Sequence, residues 1–131
     1  MEKRNIISGF WMLLLFSALG SALEIWLGKT NFMTPEGMQA TRSALSSAHS
    51  HALCLSFANI LYGLSADVLV KGGWARKTSS YMIMIGTIIF PFAFVGEVFI
   101  AEQFIFLAPV GGAIFLLGLL VALVGHYTKA K

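Results

Sequence analysis

A chain of 131 residues that is 57% hydrophobic and only 11% charged is too apolar for a soluble domain of its size. Soluble domains average about 25% charged residues, and a small globule leaves much of its surface wet, so the excess apolar surface must face lipid. The formal charge of +3 is small and scattered, with no basic stripe to indicate a nucleic-acid partner, and the single cysteine, Cys54, rules out an intrachain disulfide.

Spanning the hydrocarbon takes about 20 mostly apolar residues per helix. The first stretch that qualifies is Ile6–Leu27, stopped by Gly28 and Lys29. Glu2, Lys3 and Arg4 precede it as a signal n-region would, but the run exceeds the roughly 7–15 residues of a signal h-region and reads as a first transmembrane helix. A polar segment follows, Lys29–Ser43, in which Thr34-Pro35-Glu36-Gly37 reads as a turn and Thr41 or Ser43 as a cap for the second helix. That second helix runs from about Ser46 to Val70 and can begin before it enters the hydrocarbon. The third is Tyr81–Ala101 and the fourth Phe104–Tyr127, joined by almost nothing around Glu102-Gln103. So short a link makes the last two helices antiparallel neighbours.

Orientation follows from the tendency of lysine and arginine to stay on the cytoplasmic side. With the N-terminus inside, that side holds Lys3, Arg4, Lys71, Arg76, Lys77, Lys129 and Lys131, against Lys29 and Arg42 outside. The fold class is therefore an all-α integral membrane bundle of four transmembrane helices in one domain, residues 1–131, with up-down topology and both termini cytoplasmic. The expected location is a cell membrane crossed four times, a bacterial inner membrane being the setting.

Small residues recur at four-residue spacing, Ser17 with Ser21 and Ala18 with Ala22, and Gly111, Gly112 and Gly118 mark the fourth helix. In lipid such residues let backbones approach, and they read as packing. Pro91 removes a backbone hydrogen bond within the third helix and predicts a kink near Thr87–Phe90.

Ionisable groups at membrane depth are costly and face the bundle interior or a cavity. Here they are Glu24, His49, His51, Asp67 and Glu97. Asp67 sits at the cytoplasmic end with Lys71 as its natural partner, and His126 beside Tyr127 also reads as interfacial. The centre of interest is Ala48-His49-Ser50-His51. Positions two apart on a helix point to nearly opposite sides, so the two imidazoles cannot share one ion from one face. His49 shares its face with Ser56, Ile60 and Gly63; His51 shares its face with Leu55, Tyr62 and, less closely, Asn59. A closed zinc site would need three or four ligands and is poorly supported, whereas one imidazole suffices as an axial ligand to haem iron. A histidine merely hydrogen-bonded to a neighbouring helix is the plainer alternative, and a proton path through Glu24, His49, His51 and Glu97 is another.

Pro35-Glu36-Gly37 with Ala48-His49-Ser50 downstream, Leu107-Ala108-Pro109, and Ala122-Leu123-Val124-Gly125 together resemble the styrene oxide isomerases, small four-helix membrane enzymes. A looser likeness runs through the third helix around Gly86 and Gly96. The resemblance implies haem b held between subunits of a trimer, with His49 as the iron ligand and His51 as second choice. It implies an isomerase that converts a small apolar epoxide to an aldehyde by Lewis-acid ring opening and a hydride shift. The family's asparagine after the histidine falls here at about Leu55, with Asn59 as the nearest substitute. Its third-helix tyrosine falls near Ala93, leaving Tyr62 as the comparable hydroxyl. Phe90, Phe92, Phe94 and Trp11 are the candidate lining for an aromatic guest. With those polar groups displaced, the implied alternatives are a haem-binding or redox accessory protein without turnover, and a small proton or solute transporter or assembly factor without cofactor.

Overall fold

In the computed structural model, which describes residues 1–29 and 36–128, all regular structure among the described residues is helical. Helices α1 (Lys3–Lys29), α2 (Glu36–Leu69), α3 (Gly73–Phe99) and α4 (Leu107–Tyr127) follow one another, with a short 3-10 helix, Glu102–Phe106, between α3 and α4. All four are long and apolar enough to cross a membrane. The Thr34-Pro35 part of the expected turn, and Lys129 and Lys131 of the basic tail, lie outside the described residues.

Helices α1, α2 and α3 are longer than hydropathy alone predicts, whereas α4 is shorter at its start. α2 begins at Glu36 instead of about Ser46, so Thr41 and Ser43 are interior residues and cap nothing. Leu45, 5% exposed, starts the face that continues through the buried Ala48 and Ala52, whereas Gln39, Ala40, Arg42 and Ser43 are exposed, so the first turns of α2 extend beyond the packed face. α3 begins at Gly73 instead of Tyr81. Its polar first turns lie ahead of the apolar run, yet Ala75, Ser79 and Ser80 are fully buried, the two hydroxyls being satisfied by Tyr62 and Asn5 on neighbouring helices. α4 starts at Leu107, after the 3-10 helix that begins at Glu102, and the link is correspondingly less abrupt than expected.

α3 and α4 form the most extensive pair, followed by α1 with α2 and α2 with α3; among the described residues α1 and α4 do not touch. Glycines set the α3–α4 approach. A methyl group at Gly111 would stand 2.6 Å from the backbone nitrogen of Phe90, and one at Gly86 would stand 2.7 Å from that of Phe115. The expected role of Gly111 and Gly118 in packing is met here. Ser17, Ala18, Ser21 and Ala22, by contrast, are exposed. The close approach of α1 to α2 instead uses Gly9, against Ile60 and the Ser56 carbonyl, and Gly20, against His49. Pro91 is buried within α3, which continues through it to Phe99.

One end of the bundle is tied by backbone bonds between elements. The amide of Glu2 donates to the Gly63 carbonyl at 2.8 Å, and those of Lys71 and Gly72 donate to Gly125 at 3.2 and 3.3 Å. The start of α1, the end of α2, the start of α3 and the end of α4 therefore meet at that end.

Candidate functional site

The helical repeat separates the two histidines as expected: His49 turns to α1 and His51 to α3. Nδ1 of His49 lies 2.6 Å from the carbonyl oxygen of Phe16 on α1. A carbonyl only accepts, so Nδ1 carries the proton and, in the neutral ring, Nε2 keeps its lone pair. The half-buried ring occupies the space that any side chain at Gly20 would fill. The imidazole is held from two sides, by a hydrogen bond at one edge and a glycine notch against its face.

His49 forms the inner end of a cleft of about 400 Å³ between α1 and α2. Ser17, Gly20, Ser21, Leu23 and Glu24 line it from α1, and Arg42 and Ser46 join His49 from α2. These positions recur every three or four residues on each helix, which is why they converge. The cleft thus gathers an imidazole, a carboxylate, a guanidinium and three hydroxyls. Arg42, which sequence alone marks only as an outside charge, belongs to this site. Past His49 the two helices close on Met12, Phe16, Ala48 and Ala52, a dry apolar cluster no residue of which exceeds 5% exposure.

His51 is exposed on the other side of α2. Its Nδ1 donates to the Ser47 carbonyl of its own helix at 2.9 Å, and its ring stacks on Phe94 with centroids 6.1 Å apart and lies 5.0 Å from Phe90. The four aromatics expected to line one pocket do not converge. Phe90 and Phe94 attend His51, whereas Phe92 meets Phe16 edge-on and, with Trp11, lines a shallow groove toward Arg4 and Ile88. A residue two positions along a helix points away from its neighbours, which separates Phe92 from the other two. Glu97 is likewise apart from Glu24, in a cleft between α2, the end of α3 and the 3-10 helix that includes Ala40 and Thr41.

Asn59 and Tyr62 lie elsewhere. At a rise of about 1.5 Å per residue they stand about 15 and 20 Å along α2 from His49, beyond the apolar cluster. Asn59 is fully buried in a polar network: Nδ2 of Asn5 donates to its Oδ1 at 2.7 Å, and its own Nδ2 donates to Ser8 at 3.0 Å. Asn5 also donates to the Ser80 carbonyl and accepts from the Ser80 hydroxyl, joining α1, α2 and α3. The Tyr62 hydroxyl pairs with Ser79 at 2.5 Å and donates to the Arg76 carbonyl at 3.1 Å. Beside this network, Arg76 bridges Asp67 at 2.6 Å and Glu2 at 3.5 Å, and Asp67 also pairs with the Met1 amine. Arg76, not Lys71, is the partner of Asp67, because α2 ends at Leu69 and the chain turns before Lys71. His126 donates to the Leu69 carbonyl at 2.7 Å and meets Tyr127 edge-on, at the same end of the bundle.

Among the described residues no cluster of three or more His, Cys, Asp or Glu side chains is disposed to hold a bare metal ion. Cys54 is exposed on α2. Compared with protein-family models, curated proteins and solved structures, the chain gives no match.

Proposed function

We propose that this protein is a four-span membrane protein that binds haem b through Nε2 of His49, with both termini cytoplasmic and the His49 cleft opening toward the outer face. The observation that carries the reading is the state of His49. Metal-ligating histidines characteristically donate their second ring N–H to a carbonyl or carboxylate, which orients the ring and raises the basicity of the ligating nitrogen. The Phe16 carbonyl does this here, and the notch at Gly20 holds the ring against rotation. One pinned imidazole, with no cluster of three or more His, Cys, Asp or Glu side chains among the described residues, suits an axial ligand better than a bare ion held by side chains alone. The orientation rests on charge: the end where the N-terminus meets the α2–α3 link carries Lys3, Arg4, Lys71, Arg76 and Lys77.

When bound, ferric haem supplies a Lewis acid able to polarise an epoxide oxygen. What the chain itself contributes is ligation by His49, orientation by Phe16 and Gly20, and exclusion of water by Met12, Phe16, Ala48 and Ala52. An isomerase also needs a polar group to hold the substrate oxygen. Asn59 and Tyr62 are committed to hydrogen bonds at the opposite end, so that task falls to the hydroxyls of Ser17, Ser21 or Ser46. The absence of Asn59 and Tyr62 from the cleft favours haem binding or a redox accessory role over epoxide turnover. A macrocycle is not enclosed by an open cleft of about 400 Å³, which agrees with the expected homo-oligomer, a second copy or a trimer completing the site. The transporter reading has less support, because the apolar cluster beyond His49 interrupts a polar path across the bundle.

The test is the visible spectrum of the full chain in detergent, as purified and after adding haem. A Soret band that is lost in His49→Ala is the expected result. A colourless preparation that fails to take up added haem sinks the reading, and an epoxide-to-aldehyde assay on the haem-loaded protein separates isomerase from accessory protein.

A further inference from the structure

We propose that the groove between α1 and α3 is a binding site for one anionic phospholipid, with its headgroup on Arg4 and an acyl chain along the groove. The inference goes beyond the haem reading and does not depend on it. Arg4, Ile7, Ser8 and Trp11 recur every three or four residues on α1, and with Ile88 and Phe92 of α3 they line a groove of about 580 Å³. The Ser8 hydroxyl on its wall is satisfied inward, donating to the Asn5 carbonyl at 3.3 Å and accepting from Asn59 at 3.0 Å. Ile7, Trp11, Ile88 and Phe92 are exposed, so the groove offers hydrocarbon along its length. From Arg4 to Trp11 is about 10 Å along α1, and from Lys77 to Phe92 about 22 Å along α3, against about 15 Å for one leaflet of hydrocarbon.

Charge chooses the headgroup. The Arg4 guanidinium lies over the Tyr81 ring at 4.3 Å from its centroid, and its Nη2 donates to Glu2 at 3.1 Å. Stacking occupies the flat face, so the edge donors not aimed at Glu2 can meet phosphate oxygens in the plane of the group. Glu2 itself is turned to the bundle: its side chain is 14% exposed, accepts from Ser80 at 3.3 Å and pairs with Arg76 at 3.5 Å. Lys77, exposed one turn before Tyr81, adds a second cation from α3. A headgroup of net negative charge fits this end, whereas a zwitterionic one sets its own ammonium beside Arg4 and gains less.

Trp11 is the reporter. The full chain carries three tryptophans, so Trp26→Phe with Trp74→Phe leaves Trp11 alone in the groove. This protein goes into phosphatidylcholine vesicles holding, at equal low mole fraction, either phosphatidylglycerol or phosphatidylcholine with brominated acyl chains, which quench on contact. Both lipids occupy both leaflets, so the direction of insertion does not matter. Brominated phosphatidylglycerol should compete for the groove about fivefold better, the order expected for one basic residue at an anionic headgroup, and salt should reduce the excess. Arg4→Gln should abolish the preference with quenching by brominated phosphatidylcholine kept within about twofold, and Arg4→Lys should retain part of it. For comparison, Leu116→Trp with Trp11→Phe in the same background puts the reporter on the exposed face of α4, about 14 Å from Gly125, as Trp11 is from Glu2 along α1. No preference is expected there. Equal quenching of Trp11 by the two lipids overturns the proposal without altering Arg4, and so does a preference that survives Arg4→Gln. An equal preference at Leu116→Trp overturns it as well, since anionic lipid then gathers around the whole bundle. The readout involves neither His49 nor a cofactor, so this result and the haem spectrum fail separately.

Discussion

The His49 ring is fixed by a residue 33 positions earlier in the chain: its Nδ1 donates to the main-chain carbonyl of Phe16 at 2.6 Å, one turn of α1 before Gly20. The ring's position therefore depends on backbone atoms of α1 and on the absence of a side chain at Gly20. Any methyl group there overlaps the imidazole. Gly20→Ala should displace the ring and weaken haem uptake at least about tenfold, as expected when a pinned ligand loses its supporting contacts. Helical content by circular dichroism should be unchanged, because alanine favours helix more than glycine does. Undiminished haem affinity in this variant would show that Gly20 does not hold the ring.

The Asn5–Asn59–Ser80 network predicts a stability effect separable from the cleft. Asn59→Ala removes one bond each from the buried Asn5 amide and the Ser8 hydroxyl, which keep their bonds to the Ser80 and Asn5 carbonyls, and should cost about 1–2 kcal/mol. Denaturant or thermal unfolding in detergent measures this. Haem affinity should not move beyond the loss due to unfolding, since the two sites lie about 15 Å apart along α2.

Tyr62→Phe tests whether that hydroxyl takes part in chemistry or in structure. It removes the bonds to Ser79 and the Arg76 carbonyl while keeping the ring in its apolar cluster with Ala66, Val70 and Phe115. A loss of about 1–2 kcal/mol in stability is expected, with any epoxide conversion retained. Abolished conversion in a stably folded, haem-loaded Tyr62→Phe protein would return Tyr62 to the catalytic site.

At the α3–α4 contact, Gly111→Ala should be among the most damaging small substitutions, at about 1–3 kcal/mol. The added methyl meets the backbone of Phe90, which cannot rotate away as a side chain would. Ser56→Ala makes the opposite case. The Ser56 hydroxyl is buried with no hydrogen-bond partner among the described residues, so its removal should leave stability unchanged or raise it by up to about 1 kcal/mol. Parallel unfolding curves decide both.

Orientation is open to a labelling experiment. In a Cys54→Ser background, Gln103→Cys in the exposed 3-10 segment should react with a membrane-impermeant thiol reagent added to intact cells. Thr78→Cys, exposed near the start of α3, should react only after the membrane is opened. The reverse pattern would invert the assignment.

The sequence by itself determined four membrane-length helices, because the hydrocarbon demands long apolar runs that composition displays directly. It also determined that His49 and His51 point apart, because helical repeat is a local property. What it left open is which neighbour each polar residue meets. Asn59 and Tyr62 looked available for chemistry near the histidines until the fold tied them to Asn5, Ser8 and Ser79 at the far end of the bundle. Hydropathy alone starts the third helix at Tyr81, whereas Ser79 and Ser80, buried against other helices, belong to a helix that begins at Gly73. Only the tertiary structure brought Arg42 and Glu24 into the same cleft as His49. Hydropathy is a property of single side chains and their spacing, whereas a hydrogen bond between helices depends on how two backbones lie against each other, and glycines such as Gly20 decide that by contact.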